Sequence, residues 1–171
     1  MVAGMEPGGD EPPGSAAMIP GVRAHVETVL LSARGGRLCF RTASRQLGVG
    51  EHPDACARSL AGHGVGLLHS TSWRHTAEGI LLTYVALPDP DPSAPAEPVL
   101  DLPVTRGPDP LTPSPAVVRP VDVAAHACRH LAFLRHTDPQ VAGAVTGAGE
   151  LWDLIDVFTP AVAGLLPTGV R

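Results

Sequence analysis

The sequence predicts an α/β (α+β) fold in which a mixed sheet is sandwiched between helices. Three observations carry that expectation. Two β-rich runs are joined by Gly35-Gly36, a second hairpin pattern follows whose later run is almost wholly apolar, and helical signals are confined to one segment between the hairpins and to the final third.

Taken in order, residues 1–20 are rich in Gly, Pro and acids without periodicity, and are expected to form a disordered tail. The sheet-forming part is expected over 21–87. VRAHVETVLLSAR ends at Arg34-Gly35-Gly36-Arg37 and RLCFRT follows at once, a hairpin signal because both glycines tolerate the positive φ of a tight turn. Ala43–Glu51, with Gly48 and Gly50, is expected to be a loop. EHPDACARSLAGHG reads as a helix: Pro53 suits the first turn, Asp54 complements the helix dipole or caps it, and Gly62 and Gly64 end it. Cys56 and Leu60, four apart, should face the sheet.

VGLLHSTSWRH and ILLTYVAL form the second hairpin around Thr76–Gly79. Simple alternation in the first run places Leu67, His69, Thr71 and Trp73 on one face, opposite Leu68, Ser70, Ser72 and Arg74. The second run suits a central strand covered on both sides. Residues 88–120 are a Pro-rich linker or insertion, with a short strand expected within Pro98–Val104. Residues 121–171 should hold helices packed on the same domain. VDVAAHACRHLAFLRH carries Ala124, Ala127, Leu131 and Leu134 on one stripe. Asp138-Pro139 opens a second helix, and ELWDLIDVF a third. Leu151, Trp152, Leu154, Ile155 and Phe158 give the last helix an apolar face, suited to the sheet or to a homodimer.

Composition narrows the functional classes. The 171 residues carry a net charge of −5, with no lysine or asparagine, so all twelve cations other than histidine are arginines; that bias reads as a GC-rich bacterial genome. No basic stripe with interleaved aromatics offers a nucleic-acid surface. No run of about 18 apolar residues could span a bilayer, and the first residues lack the basic start and apolar core of a signal peptide. A cytoplasmic protein is expected. Cys39, Cys56 and Cys128 are odd in number and widely spaced, poor material for disulfides; Cys39 and Cys56 are expected as buried small hydrophobes.

At Gly50-Glu51-His52-Pro53-Asp54-Ala55-Cys56-Ala57-Arg58-Ser59-Leu60 the sequence resembles a worn Nudix box, G-x5-E-x7-R-E-U-x-E-E-x-G-U. Gly50-Glu51, Pro53 and the Ala-x-Ala-Arg stretch carry the resemblance, together with the order of the flanking hairpins. It implies a Nudix-like sheet with a disordered N-terminal tail and a Pro-rich insertion. It also implies a departure. Without a gap, the motif's R-E-U-x-E-E falls on Ser59, Leu60, Ala61, Gly62, His63 and Gly64. With one deletion, two of its glutamates fall on Ser59 and Gly62. Neither register keeps the carboxylates that hold magnesium in Nudix enzymes, where a hard cation needs anionic oxygen ligands. Only Glu51 and Asp54 remain as catalytic candidates.

The resulting expectation is a catalytically degenerate Nudix-like domain that binds a small ligand, such as a nucleotide derivative, or a protein partner. Two rivals stand beside it. One is a Mg²⁺-dependent hydrolase of nucleoside-diphosphate-linked compounds that recruits Glu27 or Glu78 to join Glu51. The other is a structural dimerisation module. The ligand-binding candidates are His69 and Trp73, which could stack a ring, with Arg74 for a phosphate and the neighbouring Tyr84; the competing role for Trp73 is a core anchor. His126 and His130, at i and i+4, share a helix face, but Cys128 points away and two ligands make no structural zinc site. No metal is expected there. Ser70 and Ser72 lack the setting of a hydrolase nucleophile.

Overall fold

The computed structural model describes residues 23–102, 115, 117–144 and 147–162. The expected N-terminal tail and much of the Pro-rich segment lie outside the described residues. The chain is a mixed α+β fold with a five-stranded sheet of order β3-β4-β1-β2-β5. Its elements are β1 (Ala24–Arg34), β2 (Arg37–Gln46), α1 (Pro53–Ala61), β3 (Leu67–Thr76), β4 (Gly79–Leu87), β5 (Glu97–Pro98), α2 (Pro120–Thr137), α3 (Pro139–Ala144) and α4 (Gly149–Ile155).

β1 and β2 pair antiparallel from His25↔Gln46 to Arg34↔Arg37, turning at Gly35 and Gly36 with φ of 55° and 71°. That left-handed turn matches the strand twist and is open to glycine without strain. β2 runs on through Gln46, where a loop was expected from Ala43. The alternation Ala43, Ser44, Arg45, Gln46 keeps the pleat, half-buried on one face and exposed on the other. β4 lies between β3, antiparallel, and β1, parallel, the central place its apolar run predicts. β5 is shorter than the strand expected at Pro98–Val104, pairing only Cys39↔Pro98 and Phe40↔Glu97.

The registers sort the side chains into two faces. On one, α1 seats Cys56, Ala57 and Leu60 against Val26, Leu82 and Tyr84, and Ala61 against Leu30 and Ala86. On the other, α2 and α4 pack Ala124, Ala127, Leu131, Trp152 and Ile155 onto Val29, Leu31, Phe40, Val85 and Leu87. Helices therefore cover both faces. Leu151, Trp152, Ile155 and Phe158 are buried in this core, so the face suited to a homodimer is spent within the chain. All three cysteines are buried and free.

Candidate functional site

The start of α1 holds the two acids singled out by sequence, and both are engaged. Arg45, at the end of β2, reaches across the loop and donates to both Glu51 oxygens (2.8 and 2.5 Å), and the Gly48 N–H donates a third bond at 2.9 Å. The Arg45 guanidinium, then the Gly48 amide, hold the Glu51 carboxyl down to about 2. Glu51 is thus tied within the chain. Asp54 does not cap the helix: His52 is the N-cap, its Nδ1 accepting from the Asp54 N–H at 3.2 Å. The Asp54 carboxylate instead accepts from the Tyr84 hydroxyl at 2.6 Å. Burial, and after it the bond to Asp54, pushes the Tyr84 phenol up.

The other end of α1 holds the positions where the Nudix resemblance calls for acids. Gly62, His63 and Gly64 line a shallow hollow of about 220 Å³ with Arg58, Gly66 and Leu68, and no carboxylate faces it from its lining residues. Glu27 and Glu78 do not come to Glu51. Glu27 lies on the opposite face of the sheet, and Glu78 sits in the β3–β4 turn, 3.7 Å from His25. Among the described residues, no three His, Cys, Asp or Glu converge to hold a metal. Magnesium is therefore a poor fit for the donor set at α1.

The ligand-binding set divides between the two faces. A β-bulge in β3 shifts the pairing with β4 from Ser70↔Tyr84 to Ser72↔Thr83, leaving Thr71 as the extra residue. Thr71 is buried, with its hydroxyl donating to the Thr83 carbonyl at 3.2 Å. Beyond it the alternation reverses. His69 and Arg74 therefore point to the α2 face, whereas Trp73 and Tyr84 belong to the α1 face. The expectation that His69 and Trp73 share a face fails for this reason. Nor is Trp73 a core anchor: it is 63% exposed and meets the His75 ring edge-on at 5.6 Å.

Sequence reasoning missed a polar floor on the α2 face. One row across four strands reads Ser72, Thr83, Glu27, Ser44, and the next reads Arg74, Leu81, His25, Gln46. Arg74 donates to Thr83 Oγ1 (3.1 Å) and Glu27 Oε1 (3.3 Å), and the Thr83 hydroxyl donates to the same Glu27 oxygen (3.2 Å). The Glu27 and Arg74 side chains are only 13% and 18% exposed. A mostly buried pair of this kind holds its place when each charge is matched and hydrogen-bonded. Thr42, Ser44 and Gln46 flank it and are exposed. Two rows below, Leu31, Phe40 and Leu87 are already part of the apolar core. The available signal was the polar alternation of Glu27, Thr42, Ser44 and Gln46, hidden because the bulge concealed which β3 residues join them.

His69 borders this floor. Its ring lies 5.3 Å from that of His130 on α2, with planes tilted by 37°. Burial lowers the pKa of both, and His69 pushes His130 down further.

No protein-family model matches the chain, and no curated protein matches it significantly. Among solved structures it is similar to one provisionally assigned to the nudix hydrolase family, from Chromobacterium violaceum. The two share 12% identity over 81% of this chain and 95% of that one, with a TM-score of 0.35. A likeness that loose carries no argument, and the fold rests on the strand order and helical layers described above. No helix among the described residues is long and apolar enough to cross a membrane.

Proposed function

We propose that this chain is a Nudix-like domain that binds a nucleotide derivative without cleaving it. One observation carries the reading: Glu51, the glutamate that survives from the motif, is clamped on both oxygens by Arg45. Phosphoanhydride cleavage on such a scaffold needs several carboxylates free to hold metal ions, which neutralise developing charge and activate water. Here Glu51 is neutralised by a cation of the chain itself, and Asp54 accepts a hydrogen bond from the Tyr84 phenol.

The binding surface in this reading is the polar floor beside α2. Glu27 and Arg74 offset each other's charge, so the floor does not favour a bare ion. Hydroxyls and an amide at Thr42, Ser44, Ser72 and Gln46 match the hydroxyls of a sugar, with Arg74, His25 and His69 bordering them. Of the four residues proposed from sequence, His69 and Arg74 belong to this surface and Trp73 and Tyr84 do not.

The test is a thermal-shift and calorimetric titration of the full chain with nucleoside diphosphates and sugar nucleotides, in metal-free buffer. Binding to the folded form raises the melting temperature. A bulky Ser44→Tyr substitution, at an exposed position on the floor, should abolish the shift, whereas Trp73→Ala should leave it intact. The reverse pattern would place the ligand on the other face. No binding across the panel would remove the reading altogether.

A further inference from the structure

We infer that the contact between α2 and β3 is a proton-sensitive latch, made of His69 and His130, which holds at neutral pH and loosens on mild acidification. This goes beyond the binding function and does not depend on it.

The geometry is specific. The bulge at Thr71 leaves His69 on the α2 face, next to Val85 in the ladder. His130, 7% exposed, meets it from the middle of α2, and the Phe133 ring stacks 6.5 Å from His130 on its own helix. Burial and the neighbouring His69 outweigh the bond from His130 to the Ala161 carbonyl beyond α4, which favours the proton. A proton on His130 puts a charge among buried groups, and protons on both imidazoles would set two cations 5.3 Å apart.

The neighbouring charges decide the balance. On α2, His126 and Arg129 oppose protonation, Arg129 acting on His126 and His126 on His130. Asp138 at the end of α2 favours it at His69, but burial outweighs this. From the floor on β3 and β1, the Arg74 charge is matched by Glu27. For His69, His126 and His130 the direction is the same: the folded state holds the imidazole below its ordinary value of about 6.5.

The sign follows from proton linkage. Groups with a depressed folded pKa bind more protons when unfolded. Their stabilisation is complete above about pH 6.5 and is lost as pH falls toward the folded values. Ordinary carboxylates titrate below about pH 5, so the interval from 7.5 to 5.5 isolates the imidazoles.

The experiment is thermal unfolding of the full chain at pH 7.5 and 5.5. It compares wild type, His69→Gln, His130→Gln and, as a control, His136→Gln at the exposed end of α2. Glutamine does not titrate, and at 130 it can still donate to the Ala161 carbonyl. Wild type should lose about 4 °C or more over this interval. Each latch variant should lose roughly half as much or less, while the control behaves as wild type. Hydrogen exchange at pH 5.5 should show the amides of 124–134 opening before those of β1. If either variant fails to fold, NMR titration of the wild-type rings decides: both should titrate below about pH 6.5. A wild type insensitive over the interval, an undiminished loss in both variants, or ring titrations at or above that value would overturn the latch.

Discussion

The two hairpins of the sheet follow the same plan and differ in one residue. β1 and β2 pair in unbroken register through ten rows and turn at two glycines. β3 and β4 carry the extra Thr71, and every side chain beyond it changes face. In the first hairpin, an alternation read from sequence holds from end to end. In the second, it holds only to Ser70. An added residue on one strand of a period-2 ladder redistributes the polar groups of the molecule: Arg74 goes to Glu27, and Trp73 goes to solvent.

The sharpest way to separate the hairpins is at their turn glycines. A Cβ at Gly79, φ 134°, would stand 2.0 Å from the Arg23 carbonyl oxygen, which itself accepts from the Ile80 N–H. Backbone cannot give way there, so Gly79→Ala should cost about 3 kcal/mol or more by urea unfolding. A Cβ at Gly36 meets nothing within 4 Å, and Gly36→Ala should cost only about 1–2 kcal/mol, the strain of a left-handed L-residue. Equal costs would mean that the second turn is not pinned as described.

A second contrast uses one arginine from each hairpin. Arg74→Ala strands Glu27 and the hydroxyl of Thr83 in a mostly buried setting and should cost about 2 kcal/mol, below the full value for a buried pair because some exposure remains. Arg45→Ala breaks a more exposed pair and should cost clearly less than Arg74→Ala. Adding Glu27→Ala to Arg74→Ala should recover part of the loss, which chemical denaturation of the double variant would show.

The smallest expected effect is at Trp73. Although it is a large aromatic in a chain poor in them, Trp73→Ala should change stability by about 0.5 kcal/mol or less, as at other exposed positions. A loss of several kcal/mol would return Trp73 to the core and contradict the bulge.

These cases show what the sequence disclosed. The Gly-Gly turn, the apolar run of β4, the Pro53–Ala61 helix and the stripe of α2 are local signals, and each is realised where a local rule placed it. The continuation of β2 through Ser44 and Gln46 was missed because polar alternation beside glycines resembles a loop. The bulge was missed because nothing in Ser70-Thr71-Ser72 marks it; it depends on Thr71 finding the Thr83 carbonyl. For the site, the grouping of His69 and Arg74 with Trp73 and Tyr84 rested on the alternation that the bulge breaks, and the ladder leaves the first two on the α2 face. The clamp on Glu51 needed the register of β2, which brings Arg45 to the loop six residues before the acid it holds.

The proposed lack of hydrolytic chemistry rests on Glu51 being clamped by Arg45 with no further free carboxylate at α1. It is tested most directly by incubating the purified chain with Mg²⁺ and the nucleoside diphosphate derivatives that bind it, while following phosphoanhydride cleavage. The account predicts no turnover above the uncatalysed rate, and none gained on Arg45→Ala, because freeing one carboxylate does not restore the others. Steady hydrolysis by the wild type that disappears in Glu51→Gln would contradict it.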